Sequence, residues 1–151
     1  MSLESDIALL KEVPLFADLT ADQLRLLAFG AEHRRLRSGE TLFRVAARAD
    51  AGFVIVNGEV ALLRGPPGQE APVAHYGAGA LLGELALITE TRRPATAVTT
   101  EDCDLIRIPR TLFRRMLEEY PDIAMALHNK IAQQLGQMMT DIMALEERFE
   151  R

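Results

Sequence analysis

The feature that most constrains the fold is the alternation of short apolar runs with turn residues between about His33 and Pro109. Short, regularly spaced strands of this kind are typical of a small antiparallel sandwich or barrel. The pair Asn57-Gly58, which lies between two such runs, predicts a β-hairpin. The predicted strands are Thr41–Phe43, Gly52–Val56, Val60–Leu63, Val73–Tyr76, Ala95–Thr99 and Asp104–Ile108.

Helical patterns flank this β-rich region on both sides. Near the N-terminus, a short helix is expected around residues 6–10, and Thr20 with Gln23 forms a capping-box signature for a second helix. Near the C-terminus, Pro121 suits the first turn of a long helix that can continue to Phe149.

The C-terminal helix carries an apolar stripe whose members follow one another at alternating steps of four and three residues. This spacing is that of a coiled-coil seam, so it predicts a homodimer. Packing of the same stripe against the chain's own β-rich body is the alternative. The predicted seam consists of Ile131, Leu135, Met138, Ile142, Leu145 and Phe149.

Composition excludes several classes of protein. The 151 residues, of which 48 % are hydrophobic and 26 % charged, suit one globular domain rather than a disordered chain. The net charge of −5 argues against a surface built mainly for nucleic acid. Cys103 is the single cysteine and the three histidines have no paired spacing, so we expect no disulfide, metal site or metal cofactor. No apolar run approaches a membrane span, and a cytoplasmic location is expected.

Residues 79–97 do not follow the alternation of strand and turn, and they carry the chemistry. Gly83 lets the backbone turn sharply or approach a ligand closely. Glu84–Ile88 suits a short helix whose first N–H groups can face an anion. Arg93 offers a guanidinium that matches phosphate, and Glu84 can accept hydrogen bonds from sugar hydroxyls. The segment therefore predicts a receptor for a sugar phosphate.

The same segment resembles a known family. Gly83–Leu87, followed after five residues by Arg93–Thr96, is similar to the phosphate-binding cassette of cyclic-nucleotide-binding domains. These domains occur in the cyclic AMP receptor protein/FNR regulators and in the regulatory subunits of protein kinase A. Ser38–Phe43 and Val56–Val60 resemble the family's β-roll signatures, and Pro121 with the long helix resembles its dimerisation helix. The resemblance covers roughly residues 13–145.

The resemblance implies a mainly β fold with flanking helices (α+β). An antiparallel β-roll of the jelly-roll type would be followed by the long dimerisation helix. Residues 1–32 would be the N-terminal helices, residues 33–109 the β-roll with its cassette at 79–97, and residues 110–151 the C-terminal helices. All three segments would belong to one cyclic-nucleotide-binding domain, without a helix-turn-helix domain.

The resemblance also implies a ligand and a role for each site residue. The ligand would be a cyclic nucleotide of the cyclic AMP or cyclic GMP type. Glu84 would hold the ribose 2′-hydroxyl and Arg93 the cyclic phosphate, with backbone N–H groups near Leu85 and Ala86. The base would rest near Met138 and Met139. The complete predicted cassette site is Gly83, Glu84, Leu85, Ala86, Arg93, Pro94 and Ala95.

Four features depart from the family's pattern. On the long helix, Met138 and Met139 lie near the place where the bacterial receptor has hydroxyl side chains against adenine. Pro94 stands where Ser, Thr or Ala is usual, so it offers neither an N–H nor a hydroxyl to a phosphate. Val45-Ala46-Ala47 replaces the usual Gly-Asp and predicts an altered turn. Gly79–Leu82 lacks the common Asp and Phe before Gly83.

Three classes of function follow. The first is a regulatory sensor that signals through its dimer helix to an effector protein or to an output domain. Nothing in residues 141–151 resembles a DNA-recognition helix, so we do not expect this chain alone to bind DNA. The second is a ligand-free dimerisation module in which Glu84 and Arg93 form a structural ion pair. The third is an enzyme on a cupin-like roll, which the lack of metal-ligand or nucleophile–base spacing disfavours. We therefore expect no catalytic residues.

Overall fold

The computed structural model describes residues 2–133. Helix α1 covers Leu3–Glu12, a 3₁₀ turn covers Pro14–Phe16, and α2 covers Ala21–Gly30. After the strands, α3 covers Arg110–Glu119, and residues 121–133 are helical and are called α4. The strands are β1 Glu32–Leu36, β2 Thr41–Phe43, β3 Arg48–Ala49, β4 Ala51–Asn57, β5 Val60–Arg64, β6 Ala71–Tyr76, β7 Leu81–Leu82, β8 Thr91–Arg92, β9 Thr96–Thr99 and β10 Cys103–Pro109.

Within this part of the chain, the strands form two four-stranded sheets and one small ribbon, and every pairing is antiparallel. One sheet has the order β1-β10-β4-β7, the other has the order β2-β9-β5-β6, and β3 pairs with β8. The predicted mainly β architecture with flanking helices is confirmed. The two-residue strands β3, β7 and β8 were not predicted, because so few residues show no periodicity.

The predicted hairpin at Asn57-Gly58 is wrong. Strand β4 pairs with β10 and β7, whereas β5 pairs with β6 and β9, so the chain crosses from one sheet to the other at this turn. Gly58 has φ +97°, and a Cβ there would collide with the backbone of Asp102 and with Cys103. The glycine therefore serves a close approach of two chain segments as well as a turn.

The capping box predicted at the second helix is confirmed. The Gln23 N–H donates to Thr20 Oγ1 at 3.3 Å, and the Thr20 N–H donates to Gln23 Oε1 at 2.8 Å. These two bonds satisfy backbone donors that the helix itself leaves without partners.

Two apolar clusters form the core. The first joins the N-terminal helices to α3, α4 and one side of the β10 and β4 strands. The second lies inside the roll, where Phe53, Ile55, Val60 and Ala97 are buried together.

The C-terminal stripe enters the description only at its start. Ile131 is 3 % exposed and packs, with Leu127, in the first core cluster of its own chain. The other seam positions, Leu135, Met138, Ile142, Leu145 and Phe149, lie outside the described residues, as does Met139. The dimer seam therefore stays a prediction.

Candidate functional site

The cassette begins at a left-handed glycine. Gly83 follows β7 and has φ +82° and ψ +42°. This left-handed conformation is energetically unfavourable for any residue that has a Cβ atom. A 3₁₀ turn, Glu84–Leu87, comes directly after Gly83, where the sequence predicted a short helix. The Ala86 N–H donates to the Gly83 carbonyl at 3.1 Å, so the turn leaves the N–H groups of Glu84 and Leu85 without partners of its own.

Arg93 is buried although it is the site's cation. Its residue is 5 % exposed, and its guanidinium lies 4.3 Å from the Phe43 ring centroid and 5.6 Å from that of Phe53. Its Nη2 donates to the Ala51 carbonyl at 2.8 Å. Its Nη1 has no hydrogen-bond partner among the residues that the structure describes.

The unpartnered nitrogen of Arg93 lies against Gly83. A Cβ added to Gly83 would collide with Nη1, so a glycine is needed there for space as well as for its backbone conformation. Buried donors are nearly always satisfied, and a buried unpaired charge is costlier still. Gly83 and Arg93 thus lie together at a nitrogen whose N–H groups have no described acceptor.

The backbone of Arg93 is held by the turn after β2. The Ala46 N–H donates to the Arg93 carbonyl, and the Arg93 N–H donates to the Ala47 carbonyl, each at 2.8 Å. Ala46 has φ +67°, which is uncommon for a residue with a Cβ. Ala46 belongs to the Val45-Ala46-Ala47 turn that the sequence predicts to be altered, and its strained backbone still holds Arg93 through these two bonds.

The neighbouring charges that act on Arg93 are those of Asp50 and Arg107. Burial lowers the pKa of the Arg93 guanidinium, the Asp50 carboxylate opposes that shift, and the positive charge of Arg107 adds to it. Asp50 is itself engaged, since its Oδ2 accepts from Arg107 Nη2 at 3.2 Å. Arg93 therefore keeps a charge that no described carboxylate contacts directly.

Glu84 is the second ionisable group of the cassette. Burial raises the pKa of its carboxyl, and the positive charge of Lys130 on α4 works in the opposite direction. Lys130 Nζ in turn donates to the Pro14 carbonyl at 2.6 Å and lies 3.5 Å from Asp18 Oδ2. One lysine therefore connects the surroundings of Glu84 to the N-terminal 3₁₀ turn and to the C-terminal helix.

Glu84 and Arg93 are not paired with each other: among residues 2–133, no ion pair within 4.0 Å joins them. The structural ion pair considered as an alternative is therefore not formed. The two charged groups therefore lie in one cassette without forming an ion pair with each other.

The remaining predicted residues of the cassette divide by exposure. Ala86 and Ala95 are buried, Leu85 is half-buried, and Pro94 is exposed. The Pro94 carbonyl accepts a hydrogen bond from Arg64 Nε at 3.2 Å. Sequence reasoning missed Arg64, because only the strand pairing brings the end of β5 beside the cassette.

The described part of the chain also bears on metal binding and membrane spanning. It contains no group of three or more His, Cys, Asp or Glu side chains arranged to hold a metal ion. None of the helices described there is long and apolar enough to cross a membrane.

Comparisons with known proteins show which family the fold belongs to. The family model for the cyclic nucleotide-binding domain matches residues 33–120. A cyclic nucleotide-binding-like protein from Brucella abortus is 45 % identical, with TM-score 0.70 over 75 % of this chain and 97 % of that one. The N-terminal domain of a transcriptional regulator from Streptomyces coelicolor is 30 % identical, with TM-score 0.78 over 89 % and 94 % of the two chains.

Two further matches are to larger proteins. Lysophospholipase nte1 from Aspergillus fumigatus is 31 % identical over 134 residues, which cover 88 % of this chain but 9 % of that protein. The regulatory domain of Toxoplasma gondii PKA, solved with cAMP, has TM-score 0.75 at 20 % identity over 89 % of this chain and 50 % of that one. At that identity the likeness shows the fold alone.

Proposed function

Because this chain belongs to the cyclic nucleotide-binding domain family, we propose that it binds a cyclic nucleotide through Arg93 and Glu84 and acts as a regulatory sensor. One observation carries the proposal. The buried Arg93 guanidinium keeps Nη1 without a partner, directly against Gly83, where any Cβ would collide with it. A site built only for stability would pair that nitrogen.

A cyclic phosphate would supply the hydrogen-bond acceptor that Arg93 Nη1 lacks. A phosphate diester carries one negative charge and oxygens that accept hydrogen bonds, and guanidinium groups bind such anions through two parallel N–H bonds. With Nη2 committed to the Ala51 carbonyl, Nη1 supplies one contact to the phosphate. The N–H groups of Glu84 and Leu85 at the start of the 3₁₀ turn supply further donors.

Glu84 suits the sugar. An ionised carboxylate accepts hydrogen bonds and donates none, so it matches a ribose hydroxyl. Glu84 is part of the same short turn as the phosphate donors, and the two groups of a cyclic nucleotide are linked through one ribose. Both ends of this rigid ligand can therefore be recognised within one cassette.

The finer parts of the proposal concern the ligand and its consequence. Cyclic AMP is the first candidate and cyclic GMP the second, with the base resting against the roll. The chain would act in the cytoplasm as a non-enzymatic module, a homodimer through its C-terminal helix, and would pass the signal to an effector protein. Since the chain matches only 9 % of the fungal lysophospholipase, that enzyme's activity is not carried over.

The test is isothermal titration calorimetry with cyclic AMP, cyclic GMP and a cyclic dinucleotide. We expect saturable binding of one of the first two by the wild type, and its loss in Arg93→Ala. Arg35→Ala is the matched control, because this exposed arginine lies on β1, at the opposite edge of the sheet from β7. Absence of binding at millimolar nucleotide would favour the ligand-free interaction module.

A further inference from the structure

Strand β5 ends in Arg64, an exposed residue that lies in alternation with Val60 and Leu62 of the inner cluster. Side chains alternate along a strand, so Val60, Leu62 and Arg64 share one face. Val60 is fully buried inside the roll, and Leu62 packs against the same cluster opposite Ala97 of β9. Arg64 continues this face at the end of the strand, where the residue is exposed.

Arg64 already touches the cassette. Its Nε donates to the carbonyl of Pro94, the residue directly after Arg93, at 3.2 Å. This is the one hydrogen bond or ion pair that Arg64 makes with residues 2–133, so its two terminal nitrogens remain available. The strand therefore delivers a second guanidinium to the Pro94 carbonyl, one residue after Arg93.

Pro94 lacks a hydrogen-bond donor that Arg64 can replace. Proline has no backbone N–H, so the residue after Arg93 cannot donate to a phosphate. A guanidinium fixed at Nε presents its remaining N–H groups in one plane, in the geometry that matches phosphate oxygens. We argue that the missing neutral donor is replaced by a charged one that is hydrogen-bonded to the carbonyl of the same residue, Pro94.

We propose that Arg64 is a second phosphate-binding residue, which contacts the cyclic phosphate from the side of the roll while Arg93 contacts it from within. The proposal rests on the proposed function of this cassette. Arg64 then helps to determine which ligands bind, because it recognises the charge of the phosphate and not the base.

The affinity of Arg64→Ala for the preferred cyclic nucleotide tests this role. We expect a loss of about 5- to 10-fold, smaller than for a buried charged hydrogen bond because Arg64 is exposed to solvent and salt. Arg64→Lys keeps the charge without the planar fork and should lose about 2- to 3-fold. Arg35→Ala is the control and should bind like the wild type.

A second measurement separates contact with phosphate from general support of the fold. Raising the salt concentration screens exposed charges, so the affinity of the wild type should fall more steeply with salt than that of Arg64→Ala. Pro94→Ala restores a backbone N–H, and in that background removal of Arg64 should cost less than half the original fold-change. A merely structural role would alter neither the salt slope nor the coupling.

The outcomes are distinct. If the wild type binds no cyclic nucleotide, the proposed function and the role of Arg64 fail together. If the wild type binds and Arg93→Ala does not, but Arg64→Ala binds with unchanged affinity and salt dependence, only the role of Arg64 is overturned.

Discussion

Gly83→Ala probes whether the cassette is built around the Arg93 guanidinium. Gly83 and Gly79 have nearly equal φ values, +82° and +87°, but a Cβ at Gly83 meets Arg93 Nη1 whereas a Cβ at Gly79 has nothing within 4 Å. Gly79→Ala is therefore a control with the same backbone cost and no collision.

The structure sets the expected magnitudes. Placing alanine in the left-handed region costs roughly 1–2 kcal/mol, offset by about 0.4–1 kcal/mol from the less flexible unfolded chain. Gly79→Ala should then lose about 1 kcal/mol of unfolding free energy. Gly83→Ala must also displace Arg93 from the Ala51 carbonyl and from the Phe43 ring, which adds about 1–2 kcal/mol after the released nitrogen regains water.

Urea denaturation at equal m-values measures both losses. The extra loss in Gly83→Ala should shrink in an Arg93→Ala background, because no guanidinium remains to be displaced. Equal destabilisation by Gly79→Ala and Gly83→Ala, with no coupling to Arg93, would refute the view that this glycine makes room for Nη1.

Three other predictions concern the turn, the carboxylate and the helix cap. Ala46→Gly should raise the unfolding free energy by about 0.5–1 kcal/mol, because Ala46 is strained at φ +67°, whereas the control Ala47→Gly should lower it; the same urea assay decides. Burial raises the pKa of the Glu84 carboxyl, so Glu84 is protonated, and loses its charge, at a pH above the ordinary glutamate pKa of about 4.3. Acidification through that range should therefore lower the affinity for the nucleotide. A pH series of titrations should show this fall in the wild type and little of it in Glu84→Gln. Thr20→Ala should cost about 1 kcal/mol by removing the capping box, and an unchanged urea midpoint would contradict it.

Several parts of the fold followed from local sequence. Helix α2 was predicted from Thr20 and Gln23, and β2 and β5 from apolar runs bounded by turn residues, because capping and alternation act over a few neighbouring positions. The hairpin at Asn57-Gly58 failed for the opposite reason. Which strand β5 pairs with is decided by long-range packing, and a turn signal cannot report it.

The site shows the same division. Glu84 and Arg93 were found because they belong to one continuous motif. That Arg93 is buried on Phe43 with one nitrogen unpaired, and that Arg64 reaches Pro94, depends on strands far apart in sequence. Lys130, whose charge acts on Glu84, lies on α4, and only the tertiary fold brings it near.

The most direct test of the central claim is the NMR signal of the Arg93 side-chain N–H groups during titration with cyclic AMP or cyclic GMP. If the cyclic phosphate engages the unpartnered Nη1, the Arg93 guanidinium resonances should shift to a saturating end point while those of Arg35 stay in place. Nucleotide binding that is detected by calorimetry but leaves the Arg93 resonances unchanged would contradict the account.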